Sequence, residues 1–384
     1  MFYLAGKSKD LEMKRIFFAI FFIANFLTIN AQNYEFKETI NLEHLPVISQ
    51  DKTGTCWSYS TSSFLESEII RLTGKHIDLS EMYQVRTTYP KKAENYVMRQ
   101  GKAQFGEGAL AHDVINSASA YGLVPVSVFT GLSEDEKIHN HAELEAVLLS
   151  MLNVYVDNPG KSLSPKWKEA VSAVLDTYLG TIPQKFNFEG KEYNPMSFMK
   201  MTKINPNDYV TVTSFMQAPF YEKFILNIPD NFSNGSLYNL PLNEFIAVID
   251  SALENGFTLS LDADVSEATF SAKYGVAFIP ENDDDEKTGL AEIIKERNIS
   301  QEYRQQEFEN FNTTDDHLMH IVGKLVDQKG TVYYKVKNSW GANEKRVKNG
   351  GYVYMSVAYM RAKAISVLLH KDGLDKNLRK KLKL

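Results

Sequence analysis

Gln50-Asp51-Lys52-Thr53-Gly54-Thr55-Cys56-Trp57 carries the single cysteine of this 384-residue chain. Trp57, Phe64, Leu65, Ile69 and Leu72 follow at helical spacing, and Gly74 supplies a stop. The spacing predicts a helix over 56–73 with the thiol on its first residue. Unpaired first-turn amides and the positive end of the helix dipole favour a thiolate there. A lone Cys is most often a small buried hydrophobe. Here Gln50, Trp57 and the helix start favour a nucleophile.

A nucleophilic thiol needs a base to take and return a proton, and donors for the developing oxyanion. Asp315-Asp316-His317-Leu318-Met319-His320-Ile321-Val322-Gly323 offers two histidines at a strand start, and Lys337-Asn338-Ser339-Trp340-Gly341 ends the next strand pattern. Adjacent antiparallel strands can set Asn338 beside His317. An amide carbonyl then fixes the imidazole tautomer, and Trp340 can shield that bond from water. His320, three positions on, faces the opposite side of the strand and reads as structural. His76, His112, His139 and His141 read as surface residues. Asp315 and Asp316 read as solvated acids.

Composition bounds the rest. Apolar residues are 43%, charged residues 23% and the net charge is −6, which is globular and not the basic field of a general nucleic-acid binder. One cysteine excludes an intramolecular disulfide and a zinc site built on several thiolates. Met13-Lys14-Arg15, an apolar run to Ile29 and Asn30-Ala31-Gln32 read as a secretory signal cut after Ala31, with 1–12 an upstream extension and Met13 an alternative start. The protein is therefore expected to be exported, to the periplasm or beyond, with no membrane span after cleavage. An unpaired Cys in an oxidising compartment is unusual and again flags a reactive thiol.

Along the chain, Ser80 caps a second helix that Pro90 should end or kink, and a third spans 109–120. Ser133-Glu134-Asp135-Glu136 reads as a capping box for a helix to about Val156, and another runs from Ser164-Pro165 to Gly180. A hairpin is expected near 186–191, a strand at 210–215, a helix at 241–253 and a strand at 257–261. The acids of 281–286 read as a solvated loop. Four strand patterns close the chain at 318–326, 331–337, 351–356 and 364–369. The tail 371–384, with six basic and two acidic residues, is expected to fray in solvent. Helices first and antiparallel strands last give an α+β class with a cleft between the two parts.

Three ordered blocks resemble the papain-like cysteine peptidases: Gln50 with Cys56-Trp57, His317 through Val322-Gly323, and Asn338-Ser339-Trp340-Gly341. Cys56 and His317 lie 261 positions apart, against roughly 130–150 in ordinary members. That insertion, with His317-Leu318-Met319, Leu79-Ser80-Glu81, Phe105–Gly108, Tyr121–Pro125, Tyr193–Phe198 and Ser236–Asn239, is similar to the bleomycin hydrolase and aminopeptidase C group. The resemblance implies a two-lobed fold, a helical lobe plus an antiparallel β-barrel-like lobe, with a largely helical insertion. The expected limits are 32–132 for the helical lobe, 133–240 for the insertion and 241–370 for the β lobe, within a peptidase domain of 32–370.

The resemblance further implies Cys56 as nucleophile, His317 as general base and acid, Asn338 as orienter and Gln50 in the oxyanion hole. Gly108 and Ala109 would lie along the substrate backbone, with Ala109 narrowing a subsite that carries Gly-Gly in the group. No cofactor or metal is implied, peptides are the partners, and hexameric rings are the analogous assembly. The group acts on peptide N-termini because its C-terminal carboxylate lies in the cleft. The basic end of this chain departs from that pattern and leaves aminopeptidase and endopeptidase open. Acyl transfer through the same triad, and a silent binding protein on the same fold, are the remaining alternatives.

Overall fold

A helix whose hydroxyl-bearing residues are nearly all buried separates the two halves of the molecule. In the computed structural model, which describes residues 33–384, this is α1 (Cys56–Thr73). The signal-peptide reading of 1–31 lies outside the described residues. Helix α1 is preceded by β1 (Phe36–Asn41). Its Ser60 Oγ donates to the Met319 carbonyl at 2.6 Å and meets Ser260 Oγ at 2.8 Å. Small polar side chains thus let the helix lie close against strands, with Ser60 and Thr61 both meeting Ser260 of the neighbouring strand.

On one side lie α2 (Glu81–Met98), α3 (Ala111–Tyr121), α4 (Ala142–Asp157) and α5 (Lys166–Leu179). Ser80 caps α2 by accepting from the Tyr83 amide at 3.0 Å. The helix runs on through Pro90, against expectation. Lys92, Ala93, Tyr96 and Val97 beyond the proline are buried against neighbouring helices, and that packing outweighs the lost hydrogen bond. Glu136 does accept from the Ser133 amide and hydroxyl, but the pair closes only a turn. Helix α4 starts later because residues 139–141 are paired with Lys52 instead. A hairpin of β2 (Phe186–Phe188) and β3 (Lys191–Tyr193) and a short helix α6 (Pro195–Thr202) follow.

The other side is one large sheet. Its strands are β4 (Tyr209–Thr213), β5 (Lys223–Ile225), β6 (Ser236–Asn239), β7 (Leu259–Ala263), β8 (Phe270–Ser271), β9 (Val276–Ala277), β10 (His317–Asp327), β11 (Val332–Lys337), β12 (Tyr352–Ser356) and β13 (Ala364–His370). Helices α7 (Leu242–Glu254), α8 (Glu286–Gly289), α9 (Gln301–Glu309) and α10 (Val357–Lys363) lie between them in the chain. The order is β5-β6-β4-β13-β7-β10-β11-β12-β9-β8, with β1 added beside β10. The expected two-part architecture of helices and sheet is present, and the antiparallel β-barrel-like lobe takes the form of an open mixed sheet. The path is open at β5 and β8, and β4/β6 and β12/β9 are parallel pairs. The segment between the helical and β parts carries α4, α5 and α6 together with β4, β5 and β6, which extend the sheet.

The tail is corrected too. Helix α11 (Lys376–Leu382) buries Leu378 and Leu382, with Leu374, in the sheet-side core, and Lys381 lies over the Tyr221 ring. Burying those leucines stabilises a segment whose charges alone would leave it in water. The described residues form two large cores, one of helices and one of sheet with α7, α10 and α11, and a small cluster of Phe215, Leu226, Leu237 and Ile365. Among the described residues no helix is long and apolar enough to cross a membrane.

Candidate active site

The loop ahead of α1 is held from both sides. Asp51 sits in the left-handed region at φ 56°, so the chain reverses there. On one side the Gln50 amide donates to the Ser339 carbonyl at 2.8 Å. On the other the Gly54 amide donates to Glu107 Oε2 at 2.5 Å, and Trp57 Nε1 donates to the Glu107 carbonyl at 2.8 Å. The thiol is thereby fixed at a helix start between two lobes.

Cys56 is 8% exposed. Burial pushes its thiol up to about 12, while a hydrogen bond from the backbone of Leu318 opposes that rise. Leu318 follows His317, so the sulfur lies against the start of β10. Asp230, Asp315 and Asp262 add a smaller upward push.

His317 Nε2 lies 2.7 Å from Asn338 Oδ1, and the Ser339 amide donates to the same oxygen at 2.7 Å. An oxygen that accepts from both sides fixes the imidazole proton on Nε2 and leaves Nδ1 as an acceptor. Trp340 stacks on the ring, with centroids 4.9 Å apart and planes at 27°. Burial holds His317 down at about 4, against an opposing pull from Asn338. His320 is brought elsewhere: its Nδ1 meets Ser63 Oγ at 2.9 Å on the far face of β10.

Gln50 is clamped at both ends of its amide. Its Nε2 donates to the Thr53 carbonyl at 2.6 Å and its Oε1 accepts from Ser339 Oγ at 2.5 Å. One N–H remains for another acceptor.

One expectation changes at the Gly108-Ala109 step. Ala109 is 1% exposed and its methyl packs in the helical core, so it narrows nothing in the cleft. Gly108 stands against Asp230: a side chain there would overlap the Asp230 carboxyl group, and its carbonyl accepts from Lys92 Nζ. His141 is not a surface residue either. It is buried beside Glu107, with Nδ1 3.6 Å from Oε2, because the 139–141 segment braces the nucleophile loop. Asp315 is not solvated: burial, then the charge of Asp230, raises it to about 7.

The acids Asp230, Asp262 and Asp315 are what the sequence reading missed as a group. They come from the inserted segment, from β7 and from the residue two before β10. Only their pairing in space marks them, and Asp315 was the one visible beside a motif. A second polar group lies behind the histidine strand, where a cavity of about 170 Å³ is lined by Glu66, Asp78, Glu81, Lys337 and His320. Lys337 is the counter-charge to those carboxylates.

The profile of the Peptidase C1-like family matches residues 111–384, which include His317 and Asn338 but not Cys56. No curated protein matches the chain. Among solved structures, PepW from lactobacillus rhamnosis HN001 is similar at 18% identity with a TM-score of 0.71, over 90% of this chain and 84% of that one. Bromelain from Ananas comosus, in complex with the E64 inhibitor, aligns at 15% identity and a TM-score of 0.38, over 85% of this chain and 92% of that one, a likeness that carries no argument. The match over most of the chain decides the family, and the PepW fold agrees with it: this chain belongs to the Peptidase C1-like family, the papain-like cysteine peptidases.

Proposed function

We propose that the protein is an exported cysteine peptidase that removes residues from peptide N-termini, of the bleomycin hydrolase type. The observation that carries the chemistry is the 2.7 Å His317–Asn338 contact under Trp340, beside a helix-start thiol. With the proton on Nε2, Nδ1 takes the Cys56 proton as sulfur attacks the scissile carbonyl. The remaining Gln50 N–H and the Cys56 amide, one of the unpaired first amides of α1, stabilise the oxyanion. His317 returns the proton to the leaving amine, and water then cleaves the acyl-enzyme. Asn338 acts as a positioning residue.

The similarity of the inserted segment to the bleomycin hydrolase and aminopeptidase C group supports an exopeptidase over an endopeptidase. The basic region and apolar run of 13–29, followed by Ala31, support export.

Aminoacyl substrates with free and acetylated N-termini test the reading. The intact enzyme should cleave the free form and spare the acetylated one, and Cys56→Ala should abolish turnover. Undiminished turnover by Cys56→Ala would refute the mechanism. Equal cleavage of both substrates would make the enzyme an endopeptidase. Export is checked by the N-terminus of the mature protein, expected at Gln32.

A further inference from the structure

Thr53 and Gly54 share one peptide plane, and its two ends are held by different parts of the molecule. At one end the Thr53 carbonyl accepts from Gln50 Nε2 at 2.6 Å. At the other the Gly54 amide donates to Glu107 Oε2 at 2.5 Å. The plane is rigid because its C–N bond has partial double-bond character, so turning one end turns the other. Inside the loop, Thr53 Oγ1 donates to the Gln50 carbonyl at 2.9 Å and meets Thr55 Oγ1 at 2.7 Å. The inserted segment grips one residue earlier, at Lys52, whose amide donates to the His139 carbonyl at 3.0 Å and whose carbonyl accepts from the His141 amide at 3.3 Å. Among the described residues, Glu107 is the one group from outside the loop that bonds the 53–54 peptide. A Cβ at Gly54 would come 2.9 Å from Glu107 Cβ, so glycine there lets the carboxyl group approach this closely. Glu107 is itself fixed, because its carbonyl accepts from Trp57 Nε1 at 2.8 Å. His141 Nδ1, 3.6 Å from the same Oε2, lies beyond hydrogen-bond reach.

We propose that Glu107 is a positioning residue that acts through Gln50: it holds the Thr53–Gly54 peptide in the orientation that aims the remaining Gln50 N–H at the oxyanion. This rests on the acyl chemistry of the function proposed above, and not on which end of a peptide is attacked. Without the Glu107 oxygen the Gly54 amide turns to find another acceptor, and the Thr53 carbonyl turns with it. Gln50 Nε2 then loses the bond that fixes one of its two N–H groups, and the other is no longer held on the reacting oxygen. Such a donor counts fully only when it is in place before the charge develops. The loss therefore falls on kcat and not on KM. Glu107 itself transfers no proton in this role.

The test is a double-mutant cycle on a fluorogenic alanyl amide, free or acetylated, whichever the intact enzyme cleaves. Turnover is counted per Cys56 thiol titrated with iodoacetamide, which removes losses from unfolded protein. Glu107→Ala should lower kcat about tenfold or more with KM within about twofold, as a slightly misaimed group does. Glu107→Gln keeps an oxygen at the same reach and should restore most of that rate. In a Gln50→Ala background, Glu107→Ala should cost less than about twofold, because the group it aims is gone. An unchanged kcat in Glu107→Ala, a full cost in the Gln50→Ala background, or a Glu107→Gln enzyme as slow as Glu107→Ala each overturns the proposal while Cys56-dependent cleavage stands. Should Glu107→Ala fail to fold, Glu107→Asp, which withdraws the oxygen by one methylene, takes its place with the same expectations. Turnover that survives Cys56→Ala would instead remove the peptidase reading, and this proposal with it.

Discussion

Burial moves the two reacting side chains apart in proton affinity. It raises the Cys56 thiol to about 12 and lowers the His317 imidazole to about 4. The working form carries one proton between sulfur and Nδ1. Adding a second proton must charge a buried ring, which burial opposes. The acid limb of kcat, read at saturating substrate, should therefore fall below the free imidazole value of about 6.5. A limb at or above 6.5 would mean that the ring is more solvated than its place under Trp340 allows.

At the scale of elements, α1 and β10 bring the chemistry together and α11 stands apart from it. The tail contributes Leu374, and from α11 Leu378 and Leu382, to the sheet-side core. Removing a buried leucine side chain costs about 2–5 kcal/mol. A chain ending after Asp372 should lose several degrees of Tm but keep its preference between free and acetylated substrates. A shift in that preference would place the tail in the cleft. The same element shows why charge pattern misled the reading of the terminus: six basic residues dominate the composition, yet two leucines four apart decide where the helix docks. Pro90 misled in the opposite direction, since contacts around α2 overrode a local breaker.

For the whole molecule, the buried acids near Cys56 come at a cost in stability. A carboxyl whose folded value lies above its unfolded one contributes most stability below the unfolded value and loses it as pH rises through the folded one. Asp315, raised to about 7, therefore weighs against folding increasingly between about pH 4 and 7, and fully at pH 8. Asp315→Asn should raise Tm more at pH 8 than at pH 4, as thermal scans at the two values would show. An equal rise at both would mean that the carboxyl is not shielded from water.

Local order did much of the work in specifying this protein. The helix start at Cys56, the Ser80 cap and the four closing strands are written in short-range spacing, because periodicity and capping act within a turn or a pleat. His317 and Asn338 were legible for the same reason, each tied to a strand end beside a recognisable block. Other features depended on contacts between segments far apart in sequence. The open, partly parallel sheet arises when β4, β5 and β6 join the closing strands. His141 is buried because its segment braces a loop some ninety residues earlier. Asp230, Asp262 and Asp315 converge only once three remote segments have packed around one sulfur. Each of those acids alone resembles a solvated surface residue, and only folding removes the water that would have made it one.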